Sequence, residues 1–137
     1  MQIQVDQLSR RALIWASILA QGFAPVIQGQ VVSYRTDHGS WDSPRIDLDQ
    51  AAYLMNRYWV GLDRPSKGQT PPQWRAIADF VGKQPSLKSS HFVMTANSTD
   101  MATAVIRCFV KSRFGEKVDI PEELVADCEI NSAMHSS

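Results

Sequence analysis

The sequence has no excess of either charge, little cysteine and no long apolar run, and each shortage removes a class of protein. Lysine plus arginine and aspartate plus glutamate both number 14, so no net charge draws the whole molecule to nucleic acid or to an anionic membrane. Any such binding is local. The two cysteines, Cys108 and Cys128, fall in helix-like stretches with no second pair nearby. That argues against a disulfide framework and a zinc site, and predicts free thiols in a reducing compartment. The longest apolar stretch, Ala12 to Ala20, is broken by Ser17 and falls short of the roughly 20 apolar residues that cross a bilayer. It reads as a core helix. Met1 to Asp6 alternates Gln, Ile, Gln and Val without the basic start and apolar run of a secretory signal, so the expected setting is the cytoplasm.

What is present is a chain of 137 residues, 44% hydrophobic, which is long enough for one domain with its own core. Residues 1–130 are expected to form it, with 131–137 a disordered tail too poor in apolar side chains to dock. Ile3 and Val5 alternate with polar residues as in a short strand. Ser9 is placed to cap a helix, with Leu8 and Leu13 as a hydrophobic staple, Ala12, Trp15, Ala16, Leu19 and Ala20 on one face, and Gly22 as its end. Val26 to Arg35 reads as a strand, and Thr36 to Pro44, rich in turn-forming residues, as a loop. Leu48, Ala52, Met55 and Trp59 follow helical spacing, giving a helix from Leu48 to about Asn56 and then a strand from Tyr58 to Leu62.

Thr70, Pro71 and Gln73 resemble a capped helix start, and Trp74, Ile77, Ala78 and Val81 would supply its buried stripe up to Gly82. His91 to Ala96 suits a strand. Asn97, Ser98, Thr99 and Asp100 offer caps for a helix with Val105, Cys108, Phe109 and Ser112 on one side, Arg107, Lys111 and Arg113 projecting elsewhere, and Gly115 as its end. Val118 and Ile120 suit an edge strand, and Pro121 opens an acidic helical turn through Glu122 and Glu123. The fold class predicted is α/β of the α+β kind, three or four helices packed on a small, mostly antiparallel sheet.

No acids, bases, thiols or glycines stand at a spacing that a reaction requires, so no catalytic residue, metal ligand or cofactor is expected. Asp37 and His38 are adjacent in a loop without a placed nucleophile, and His91 lacks a second metal-ligating partner close by. The stronger candidate is the set Tyr34, Thr36, Asp37, Trp41 and Arg45, which combines stacking surface, short hydrogen-bonding groups and a cation as nucleobase or sugar sites do. The alternative is that Tyr34 and Trp41 cover the first helix. Arg107, set among apolar neighbours, needs an acceptor. That acceptor is either an internal carboxylate such as Asp119 or Glu122, or a ligand phosphate.

Ile106, Arg107, Cys108, Phe109 and Val110, followed by Ser112, Phe114, Gly115, Val118, Ile120, Pro121, Glu122, Glu123 and Leu124, are similar to the C-terminal signature of the NinX-like bacteriophage proteins. Leu8, Ser9, Ala12, Leu13, Trp15 and Ala16 look like that family's opening helix, and Tyr34, Thr36, Asp37 and Trp41 like its loop after the second strand. Where family members commonly carry Gly, Pro, Thr and Pro before the arginine-bearing helix, this chain has Ser98, Thr99, Asp100 and Met101. The resemblance implies a phage origin and a host-cytoplasm setting, adds Ser98 and Thr99 to the expected ligand-binding set, and implies no reaction. The function expected on these grounds is a non-enzymatic accessory protein that binds a small nucleotide-like ligand and sequesters a host immune signal. The alternatives are a module that docks on a host or phage enzyme through aromatics such as Trp59 or Trp74, and a nucleotide hydrolase. Four tryptophans and the high apolar content in so short a chain also predict a homo-oligomer.

Overall fold

The computed structural model describes residues 1–65, 67–68, 70–81 and 93–129. In chain order the elements are β1 (Gln2–Gln4), α1 (Arg10–Ala20), β2 (Val26–Gln28), β3 (Val31–Arg35), β4 (Trp41–Asp42) and α2 (Leu48–Tyr58). There follow β5 (Gly61–Asp63), β6 (Trp74–Asp79), β7 (Val93–Ser98), α3 (Met101–Phe114) and β8 (Lys117–Asp119). Short 3₁₀ turns occupy Val5–Gln7 and Glu122–Asp127. The fold is α+β, as the sequence predicts, with its antiparallel pairing divided among small sheets of order β1-β8, β2-β3-β4 and β5-β6-β7.

α3 organises the molecule. It packs against α1, α2 and the β6 and β7 strands, and Ala104 to Ser112 are all buried. Small residues at Ala102 and Ala104 let neighbouring backbones come close, and the Asp100 carboxylate caps the helix by accepting from the Thr103 N–H at 3.0 Å. A helix enclosed this way can carry cations only if their tips find acceptors. Lys111, expected to project away from the core, is instead 5% exposed at its side chain, its Nζ bonded to Asp6 at 2.8 Å and to the Thr95 carbonyl at 2.8 Å.

The first residues zip along the last described ones. Ile3 pairs with Val118, Leu8 forms a bridge with Cys128, and the Glu129 N–H donates to the Gln7 carbonyl at 2.7 Å. One hydrophobic cluster runs from Ile3 to Cys128, and both thiols are free and buried, as expected.

Four elements differ from the sequence-based expectation. Val26 to Arg35 is not one strand but the hairpin β2–β3, turned at Gly29 and Gln30, where only Gly29 has positive φ (62°), the pattern of a two-residue turn that needs glycine first. The expected loop from Thr36 to Pro44 contains β4, which pairs Trp41 with Arg35 across a tip of Asp37, His38 and Gly39. Gly39 (φ 84°) takes the left-handed position there, its N–H donating to the Thr36 carbonyl at 2.9 Å. The helix expected to end at Asn56 continues through Tyr58, and no strand begins there: Trp59 is its left-handed C-cap, and the next strand starts at Gly61.

Trp74–Asp79, expected as helix, is the central strand of the β5-β6-β7 sheet, with Ala76 and Ala78 buried and Arg75 and Asp79 exposed. Burial with a period of two and a partner strand on each side outweigh the capping signal of Thr70 to Gln73. Gly82, His91 and the tail at 131–137 lie outside the described residues.

Candidate functional site

The residues expected to bind a ligand do not converge. Tyr34 is half-buried: its hydroxyl donates to Asp42 at 3.3 Å and its ring lies 4.5 Å from that of Phe23. Burial and the Asp42 carboxylate push its hydroxyl up to about 12, so it remains a protonated donor. Thr36 closes the hairpin tip, its Oγ1 lying 2.8 Å from Ser40 Oγ. Asp37 stands exposed on that tip. Trp41 is 58% exposed and, as the cross-strand partner of Arg35, shares the opposite face of the hairpin from Tyr34 and Asp42.

Arg107 is not a phosphate anchor at a pocket floor. Its side chain is only 6% exposed, Nε donates to the Leu8 carbonyl at 2.9 Å and Nη2 to Glu129 at 3.0 Å. The acceptor that a buried guanidinium needs is thus supplied from within, by Glu129 rather than by Asp119 or Glu122. Ser98 and Thr99 are equally local. The Ser98 hydroxyl accepts from the Asp100 N–H at 3.1 Å at the start of α3, and Thr99 is exposed. Trp74 is half-buried against the core, so of the two aromatics expected as anchors only Trp59, 88% exposed, is presented to solvent.

One concavity among the described residues joins Arg45 to a different arginine. A cleft of about 280 Å³ lies between α1 and the β2–β3 hairpin, lined by Ile14, Val31, Val32 and Pro44, by the polar Gln30 and Ser43, and by Arg11 and Arg45. Arg11 is fixed. Its Nε and Nη2 donate to the two oxygens of Asp127, and Nη1 donates to the Gly29 carbonyl at 2.8 Å. The hydrogen bond from Arg11 holds the Asp127 carboxyl below the ordinary carboxylate range, so the pair stays charged at neutral pH. Arg45 has no ion-pair or hydrogen-bond partner among the described residues.

Local backbone explains how Arg11 is placed. Arg10, at φ 51°, carries a left-handed conformation that a non-glycine residue adopts at a cost on the order of 1 kcal/mol. Ser9 keeps the expected N-cap position but makes no capping bond, and its hydroxyl donates instead to the Asp127 carbonyl. Asp127 serves as the cap from outside the helix, accepting the Arg11 N–H at 3.2 Å. Arg11, Gln30 and Ser43 are the residues that sequence reasoning missed. The signal available for Arg11 was electrostatic: paired arginines in a first helical turn without an acid oppose the helix dipole and call for a remote carboxylate.

Asp37 and His38 meet no nucleophile across the cleft, since both are exposed on the hairpin tip and neither lines it. Among the described residues no three His, Cys, Asp or Glu side chains group as metal ligands, and no helix is long and apolar enough to cross a membrane. Comparison with protein-family models and with curated proteins gives no match to this chain.

Proposed function

We propose that the protein is a non-enzymatic, NinX-like phage accessory protein acting in the host cytoplasm, and that it binds a small nucleotide-like molecule in the Arg11–Arg45 cleft and so withdraws a host immune signal. The observation that carries this reading is that one cleft with apolar lining is shared by Arg45, which has no partner among the described residues, and by Arg11, held by Asp127. Ligand sites are mostly apolar with a few fixed polar groups, and a guanidinium forks onto phosphate. At about 280 Å³ the cleft suits a phosphate with a sugar or a single base rather than a dinucleotide.

The test is a thermal-shift and calorimetric panel of mononucleotides, cyclic nucleotides and ADP-ribose, with mass spectrometry of small molecules released on denaturing the purified protein. At least one member should raise the melting temperature. Identical melting with every member, and no co-purifying molecule, would sink the reading. The hydrolase alternative predicts product formation that is lost in Asp37→Ala or His38→Ala. Docking on another protein is the second reading, and the exposure of Trp59 is what favours it.

A further inference from the structure

The last turns of α2 and α3 each carry an arginine, and the two arginines share one ring. The Arg57 Cζ lies 5.4 Å from the centre of the Tyr58 ring and the Arg113 Cζ 5.0 Å from it. Arg113 is also 5.7 Å from the centre of Phe109, whose ring meets that of Tyr58 at 4.5 Å. Arg57 is exposed and Arg113 half-buried.

Neither arginine has an anion. Arg11, Arg107 and Lys111 each meet a carboxylate. All 14 acidic side chains fall among the described residues, because Ser66, Gln69, 82–92 and 130–137 contain none, and not one of them pairs with Arg57 or Arg113. An arginine in a last helical turn ordinarily donates to the final carbonyls, and neither does so here. The Arg113 Nε adds an independent observation: it is buried without an acceptor, a condition that buried donors rarely bear. Two like charges on one ring also repel, so the arrangement calls for a negative charge that no side chain of this protein supplies.

We propose that Arg57, Arg113 and Tyr58 form a second anion site, which takes a doubly charged terminal phosphate. None of the three lines the Arg11–Arg45 cleft, so the site stands whether or not the cleft binds a nucleotide. Stacking on a ring uses the face of a guanidinium and leaves its N–H edge free, so both arginines are steadied with their donors unspent. A phosphate monoester brings two negative charges to two arginines and three oxygens to two forks, where a carboxylate brings one charge and two oxygens. The Tyr58 ring already bears Phe109 and both guanidinium groups, which leaves a nucleobase little to stack on. The group recognised is the phosphate itself.

The experiment is a titration of the isotope-labelled full chain carrying Arg45→Ala, which disables the cleft, read by the nuclear magnetic resonance signals of the Arg57 and Arg113 Nε–H groups. The probes are inorganic phosphate, glycerol phosphate and a phosphoserine peptide. Both signals should move and saturate. One of the two esters should bind more tightly than inorganic phosphate, and which one does so tells whether a metabolite or a protein presents the group. Binding should strengthen from about pH 5 to about pH 7 as the ester loses its second proton. Adding Arg57→Gln should leave melting unchanged, because the residue is exposed, and weaken binding about tenfold through the loss of one charged fork. Signals that stay in place overturn the inference, as does full affinity in Arg57→Gln. If neither ester binds more tightly than inorganic phosphate, the pair holds an adventitious ion only and the inference falls.

Discussion

Arg11 grips Asp127 through two nitrogens, Nε at 2.7 Å from Oδ2 and Nη2 at 3.1 Å from Oδ1, and its own N–H reaches Oδ2 as well. This one pair caps α1, ties it to the last 3₁₀ turn, and holds one wall of the cleft in a fixed orientation.

The pair makes stability depend on acid. The Asp127 carboxyl is held below its ordinary value of 3.8, chiefly by the hydrogen bond from Arg11. Its folded value therefore lies below its unfolded one, so its contribution is complete above the unfolded value and disappears as pH falls through the folded value. Urea denaturation of Asp127→Asn should show a smaller loss of stability than the wild type between about pH 6 and about pH 2. Equal losses in the two proteins would remove this pair from the acid response.

Arg107 and Glu129 should respond unequally to mutation. Replacing Arg107 by Met leaves the buried Leu8 carbonyl without its donor, which costs about 1–3 kcal/mol before any packing loss. Glu129 is 58% exposed, and Glu129→Gln should cost less than about 1 kcal/mol. Denaturant titrations of both variants distinguish this from an ion pair of real weight, which would make the two losses similar.

The thiols should be silent in the folded protein. Burial pushes Cys108 up to about 12 and raises Cys128 as well, so neither supplies thiolate near neutral pH. A chromogenic disulfide reagent at about pH 8 should find no reactive thiol until denaturant is added, and then both. Rapid labelling of the native chain would contradict the packing around α3.

The two arginines of the cleft should separate structure from binding. Arg45→Ala should leave the melting temperature of the free protein unchanged while removing the shift given by an active nucleotide, about 2.7 kcal/mol of stabilisation at one hundred times its dissociation constant. Arg11→Ala should lower the melting temperature with or without nucleotide, because it breaks the cap as well. An Arg45→Ala protein that keeps the full shift would place the ligand elsewhere.

The parts of the fold that the sequence announces are those in which local and tertiary signals agree. α3 has a cap at Asp100, a stop at Gly115 and a run of apolar residues between them, and it forms where expected, although Arg107 and Lys111 are buried rather than projecting away. β6 shows the opposite case. Trp74, Ile77 and Ala78 fit a helical stripe as well as Ala76 and Ala78 fit a strand, and only the neighbours β5 and β7 decide between them. Of the expected site only Arg45 lines the cleft, because what Tyr34 and Arg107 do is set by partners distant in the chain or across a hairpin, Asp42, Leu8 and Glu129, which no spacing reveals. Leu48 and Ala52 follow the helical period of α2 yet are exposed, and periodicity alone does not say which way a stripe faces.

The pairing of Ile3 with Val118 has a consequence for the order of events during synthesis. A chain made from its N-terminus holds β1 and the apolar residues Val5 and Leu8 without their strand and bridge partners until Lys117 to Cys128 have been made. The closing contact thus has a long loop to bridge, and the nascent protein stays open to aggregation through these unpaired residues until β8 and Cys128 have been made.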